Sequence, residues 1–262
     1  MPGGVSRLAV QGPARLVERS VVLYRRLWYV FAAGMAEPVL YLLAVGLGVG
    51  ELVGELPGPD GEPIDYSAFI APGLLAAAAM FGAIFDATLN FFVRYKYMGI
   101  YEAMLATPLR PRDLAIGETC WSLLRGAAYA TAFLVTMVAF GLVGSWWAAL
   151  AVPAAVLVGY AFAGAGLAAS TWMRSWLDFD FINMAILPLF LFSGTFFPLT
   201  EYPEGVRWLV QISPLYQGVA LERALVLGEV DWTDAGHALY LAVLGTVGLR
   251  VASRRLGRLL QP

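Results

Sequence analysis

The chain has 262 residues, of which 60% are hydrophobic and only 14% charged, with a formal net charge of −2 and a mean hydropathy of +0.70. Soluble domains run at about 45–50% apolar and about 25% charged, so a soluble enzyme built from this chain would expose large apolar patches, and the charge balance offers no basic field to nucleic acid. One cysteine, Cys120, and one histidine, His237, exclude an intrachain disulfide framework and a multi-Cys or His metal cluster.

Residues 1–27 carry five arginines: Arg7, Arg15, Arg19, Arg25 and Arg26. Leu16, Ser20, Leu23 and Leu27 recur at helical spacing among them, which predicts a basic amphipathic helix in the membrane interface. The alternative is a disordered basic arm that only sets topology. No short apolar core with a small-residue cleavage site is read here. Six stretches then approach the roughly 20 apolar residues needed to cross a hydrocarbon core of about 30 Å: 28–50, 68–93, 119–143, 147–173, 181–198 and 235–252. The expectation is an all-α membrane protein and a single domain over 1–262. It comprises a cytoplasmic interfacial segment 1–27, a six-span bundle 28–252 and a tail 253–262.

Basic residues set orientation. Fifteen of the seventeen Lys and Arg fall in the N-terminal segment, the 94–112 loop, at Arg125 and Arg174, or at the chain's C-terminal end. Only Arg207 and Arg223 belong to the other side, which also holds eleven acids. Both termini are therefore placed in the cytoplasm.

Within the first span, Glu37 precedes Pro38. Proline suits a first helical turn, so the span begins either near Trp28 or near Glu37, where the carboxylate caps the helix. Asp86, Asn90 and Arg94 follow at spacings of four and share a face of the second span. A central Asp costs about 2.5–3.5 kcal/mol on insertion scales and normally faces a bundle interior or wet cavity. Two readings stand: a translocation path or protomer contact, or an Asp neutralised by a neighbouring helix while Arg94 snorkels.

The next loop reads RYKYMGIYEAMLATPLRPRDLAIGE. Ile100, Tyr101, Met104 and Leu105 predict a short apolar-faced helix stopped at Thr107-Pro108, and Pro111 starts the next one. Such a helix either docks into a partner or rests on headgroups. In the fifth span, Asn183 is a lone amide, Ser193-Gly194 breaks the outer half and Pro198 ends it. Two amphipathic segments, 205–212 and 215–227, are too short to span. They predict re-entrant outer helices covered by other spans; the alternative is an ordinary outer loop. Gly46-xxx-Gly50 and Ala161-xxx-Ala165 allow close helix approach. The single lysine, Lys96, lies between tyrosines, so a Gly-Lys-Ser/Thr phosphate loop is absent. His237, opening the sixth span, reads as structural or solvated.

Together, the six spans, the run YEAMLATPLRPRDLAIGE, the run LPLFLFSGTFFPLTEYP and Glu37-Pro38 followed by Gly46, Gly48 and Gly50 resemble the type-2 ABC exporter permeases. The likeness is to the NodJ-like branch, linked to lipo-oligosaccharide export, and to the DrrB-like drug exporters. The resemblance implies a permease in the bacterial cytoplasmic (inner) membrane that pairs with a nucleotide-binding ATPase. That partner would hold ATP and Mg, with no cofactor in this chain. It also implies a second permease copy, identical or paralogous, and a lipid-like, glycolipid or amphipathic drug-like substrate moved outward. Tyr101, Glu102, Met104, Leu105, Thr107 and Pro108 would form the ATPase-coupling helix. Glu37, Asp86, Asn90 and Asn183 would line the path or protomer interface, and Ser193, Gly194, Phe197 and Pro198 the outer gate. No aromatic cluster in the sequence marks a sugar conduit. The competing readings are an ATP-independent transporter or channel and a membrane-embedded lipid-modifying enzyme.

Overall fold

The computed structural model describes residues 13–22, 25, 28–57, 63–106 and 109–260. A helix over 13–22 (α1) precedes α2 (Trp28–Val53) and a small ribbon of β1 (Glu55–Pro57) and β2 (Pro63–Asp65). The rod α3 (Tyr66–Phe85) continues through a π-helical turn, Asp86–Asn90, into α4 (Phe91–Lys96). Then come α5 (Ile100–Leu105), α6 (Pro111–Ala139), a 3-10 turn Trp146–Leu150 leading into α7 (Ala151–Ser170), and α8 (Asp178–Leu191). The chain closes with α9 (Glu204–Ile212), α10 (Pro214–Leu227) and α11 (Trp232–Leu260).

Among the described residues, four helices are long and apolar enough to cross a membrane: Tyr66–Lys96, Pro111–Ala139, Trp146–Ser170 and Trp232–Leu259. A shorter apolar stretch, Val39–Gly50, lies in α2. α2 runs without interruption through Glu37-Pro38, so no helix starts at Glu37, and the reading of Glu37 as an N-terminal cap is corrected.

The expected span 181–198 is a 14-residue helix followed by irregular chain. α8 begins early because the Asp178 carboxylate accepts from the Arg174 and Ser175 N–H groups at 2.6 and 3.1 Å. It stops early because Phe192 leaves helical geometry (φ −101°, ψ 40°) and Gly194 turns left-handed at φ 72°, a conformation glycine adopts without a Cβ clash. At about 1.5 Å per residue α8 covers only about 21 Å. α6 starts at Pro111, as the sequence predicts, ahead of the apolar stretch from 119: proline needs no N–H partner in a first turn, and the Arg110 N–H donates to the Asp113 carboxylate at 3.1 Å.

The ribbon is the one departure from an all-helical chain among the described residues. Its strands are antiparallel with Leu56 opposite Ile64, and both side chains pack on the apolar cluster formed by α2, α3 and α6.

α7 is the central post, packed against α3, α6, α10 and α11. Its small side chains allow this. Ala161 and Ala163 are buried, and a Cβ on Gly164 would meet the Gly245 carbonyl oxygen of α11 at 2.4 Å. The other small-residue pattern contacts α3: Ser67 Oγ donates to the Gly46 carbonyl at 3.1 Å.

Gly164→Val forces α7 and α11 apart and is expected to destabilise the protein by about 1–3 kcal/mol. Thermal unfolding in detergent, set against the control Gly126→Val, where a Cβ meets nothing within 4 Å, measures this; equal melting of the two variants would contradict the close contact.

Candidate functional site

The polar residues of the second span do not stand alone. The π-helical turn brings Asn90 Nδ2 to donate to Asp86 Oδ1 at 2.9 Å, and such turns inside α-helices recur at functional positions. Asp86, only 6% exposed, pairs with Arg125 of α6 at 3.0 Å and with Arg94 at 3.6 Å. Arg94 also pairs closely with Glu118 of α6, and Arg19 of α1 reaches the same carboxylate at 3.9 Å. The two carboxylates and the Arg94 and Arg125 guanidiniums balance in charge, which offsets the cost of placing each in an apolar bundle. Beside them lies a cavity of about 10 Å³ lined by Asp86, Glu118, Thr119 and Ser122, about the room one water needs. Thr119 Oγ1 and Ser122 Oγ have no hydrogen-bond partner among the described residues.

The short helix α5 is attached to this cluster. Tyr101 is turned inward, 1% exposed, with its ring 5.1 Å from that of Phe91. Burial, and next the nearby Glu118 carboxylate, push the Tyr101 phenol far above its ordinary value, so it stays neutral. Tyr101 is therefore an anchor holding α5 to the bundle and leaves no exposed ring for a partner. Met104 Sδ lies 3.9 Å from the Arg19 guanidinium. α1 completes the assembly: Leu16 is buried, and a Cβ on Gly117 of α6 would meet its side chain at 2.6 Å. The side chains of Glu37, Glu102 and Leu105 lie outside the described residues, as do Thr107 and Pro108. Asn183 is exposed on α8 and is not brought into the cluster.

At the opposite end, the break after α8 is held down. Ser193 is buried, with its hydroxyl 2.7 Å from Thr195 Oγ1 and donating to the Phe190 carbonyl at 2.7 Å. Arg223 of α10 donates to the Gly194 carbonyl at 2.8 Å, and its guanidinium lies 3.9 Å from the Phe69 ring centroid. Phe197 is exposed and Pro198 half-buried. α10 itself is buried through Leu215, Val219 and Val226. His237 is structural here, hydrogen-bonded to Gln217 of α10. Glu222, read from the sequence as one of the acids of an outer loop, is fully buried, and neither carboxylate oxygen has a partner among the described residues. Burial pushes its pKa well up.

Rings from three helices form a continuous track. Phe179 and Phe85 lie 5.8 Å apart, Phe85 and Phe81 6.3 Å, Phe81 and Phe190 5.3 Å, and Phe190 and Phe196 5.1 Å. Tyr41 of α2 joins it 6.4 Å from Phe190. The expectation of no aromatic cluster is thereby corrected: these rings are scattered in sequence and meet only in the fold. Glu118, Arg125 as a partner, and Glu222 were also missed as site residues. Only Glu118 left a signal, as a carboxylate at the mouth of an apolar span.

Long apolar helices packed around α7, with a short helix held at the arginine-rich end, define a helical membrane protein. The family model for the ABC-2 type transporter matches residues 14–227, and the chain belongs to that family of transport permeases. It is 30% identical to Nodulation protein J of Rhizobium leguminosarum bv. viciae, over 98% of this chain and 97% of that one. It is 33% identical to the protein of the same name from Rhizobium leguminosarum bv. trifolii, over 86% of each. It is also 26% identical to the inner membrane transport permease YadH of Escherichia coli (strain K12), over 73% of each.

Arg94→Ala leaves Asp86 with Arg125 and Asn90 but Glu118 with only Arg19 at 3.9 Å, and is expected to destabilise by about 1–3 kcal/mol; no measurable loss in detergent unfolding would mean the cluster is solvated. Glu222→Gln tests the outer end. Because the folded-state pKa of Glu222 is raised, its favourable contribution is complete below the unfolded value and is lost as pH rises. The Gln variant should match the parent near pH 4 and exceed it in melting temperature at pH 7. A Gln variant less stable than the parent at pH 7 would contradict the unpaired burial.

Proposed function

We propose that this chain is the permease subunit of an ATP-driven exporter that moves a lipid-linked, lipo-oligosaccharide or amphipathic drug-like substrate outward across the bacterial inner membrane. In this reading α2 and α8, with the chain that follows α8, complete six spans with α3–α4, α6, α7 and α11. The arginine-rich end faces the cytoplasm, as the distribution of basic residues favours. α1 lies along that interface and α5 meets a separate ATPase subunit that carries ATP and Mg. A second permease copy, identical or paralogous, closes the pathway. α9 and α10 re-enter from the outer side and cap it.

The observation that carries the proposal is the buried attachment of α5. Through Tyr101, Phe91, Arg94 and Glu118, a force applied to this short helix reaches the ends of two spans as one rigid body. A surface helix resting on lipid has no need of such an anchor. The aromatic track supports the substrate class, because ring faces accept both apolar chains and the C–H faces of sugars. Exposed Phe181, Met184 and Leu187 of α8 present an apolar face suited to the second copy. Transport follows as a population shift: ATP binding in the partner favours one of two bundle arrangements that differ by a few kcal/mol.

The test is a pull-down of the tagged chain from native membranes in mild detergent, with ATPase activity measured on the eluate. The expected result is a co-eluting ATPase, and in Tyr101→Ala an unchanged dimer whose associated ATPase activity no longer responds to the permease. A stable complex lacking ATPase activity would overturn the proposal and favour an ATP-independent transporter, or a lipid-modifying enzyme built around Asp86.

A further inference from the structure

Away from the ion cluster, a cavity of about 440 Å³ opens between α6, α7 and α11. From α11 it takes Thr246, Leu249, Arg250, Ser253 and Arg254, residues at i, i+3, i+4, i+7 and i+8 that share one helix face. α6 contributes Arg112 and Ile116, again one turn apart, and α7 contributes Tyr160. The Tyr160 and Thr246 hydroxyls lie 3.1 Å apart and close the inner end.

The chemistry is graded along the cavity. Three exposed arginines stand at the end that also carries α5 and the last turns of α11. None of the three has a carboxylate within ion-pair distance among the described residues, whereas Arg94 and Arg125 nearby are both paired. Hydroxyls and the apolar Leu249 and Ile116 lie deeper. From Thr246 to Arg254 the helix rises about 12 Å, roughly the distance from a lipid phosphate down to the upper acyl chain. α6 and α11 are also the two spans least covered by protein, and Leu239, Val243 and Val247 of α11 are exposed. The cavity is therefore open to the bilayer.

We propose that this cavity is a binding site for an anionic phospholipid of the leaflet at the arginine-rich end, with Arg112, Arg250 and Arg254 on the phosphate and an acyl chain against Leu249 and Ile116. It rests on the orientation given above, which places these arginines in the cytoplasmic leaflet, where basic pockets between spans take phosphate headgroups. It is separate from the aromatic track and from α5, so the lipid is a resident ligand of the permease and not its cargo.

The experiment titrates the purified full chain in neutral detergent with dioleoyl phosphatidylglycerol, dioleoyl phosphatidylcholine or glycerol 3-phosphate and follows binding by native mass spectrometry and by the shift in melting temperature. Phosphatidylglycerol is expected to bind saturably and phosphatidylcholine weakly. At about fivefold per charge, the triple variant R112Q/R250Q/R254Q should bind phosphatidylglycerol on the order of a hundredfold more weakly. A charge-matched triple at exposed arginines off α11, R15Q/R25Q/R174Q, should retain the parent affinity. Leu249→Trp keeps every arginine but fills the cavity, and should also lose binding. Equal loss in both triple variants would mean diffuse electrostatic attraction, and equal binding of the two lipids would remove the headgroup specificity. Full competition by glycerol 3-phosphate would assign the cavity to a soluble phosphate. Each of these overturns the site, and none bears on whether an ATPase co-elutes.

Discussion

A carboxylate inside an apolar bundle has to be neutralised, and the way Asp86 is neutralised organises the arginine-rich end of this protein. Its oxygens face Arg125 from one neighbouring helix and Arg94 from its own rod, and Arg94 then reaches across to Glu118. Because each charge is held by another, the ends of α4 and α6 cannot move independently without exposing an unpaired ion to low dielectric. The same cluster fixes Tyr101 and Arg19, so α5 and α1 belong mechanically to the bundle. The family to which the chain belongs transports substrates, and in the function proposed above this linkage carries motion of α5 into the spans.

The second constraint is steric. α7 contacts four other helices because it is built from Ala and Gly, and at Gly164 and Gly245 the backbones of α7 and α11 come nearly into contact. Without a hydrophobic driving force between helices in lipid, close packing of this kind supplies much of their association. α7 and α11 are the closest-packed pair, while α2 and α8 expose Leu40, Phe181, Met184 and Leu187. The aromatic track runs between these two helices and α3.

At the far end, irregular chain at membrane depth needs internal partners. The break after α8 finds them in the Ser193–Thr195 hydroxyl pair and in Arg223, which donates to the Gly194 carbonyl. Both basic residues on the side that the positive-inside pattern leaves poor in charge donate to backbone carbonyls, Arg223 to Gly194 and Arg207 to Tyr202 and Thr200. Glu222, the neighbour of Arg223 in sequence, is the converse case, a buried carboxyl without a partner among the described residues.

Composition and the spacing of apolar residues were enough to define a helical membrane protein, the short helices near 101, 204 and 214, and the break at Ser193-Gly194, because burial in an apolar medium and the absence of a Cβ act locally along the chain. Pattern also placed Asp86, Asn90 and Arg94 on one face. It left open whether Glu37-Pro38 lies inside a helix or starts one, and could not reveal that α8 stops at Leu191 or that Tyr101 points inward. The partners Glu118 and Arg125, the ring track from Phe179 to Phe196 and the three-arginine cavity were likewise invisible, because each is made by residues from different helices. The sequence by itself determined which segments must leave water and which residues would be costly there. Which charges meet, and which rings line up, was decided only by the tertiary structure, because pairing across helices depends on crossing geometry that no single helix encodes.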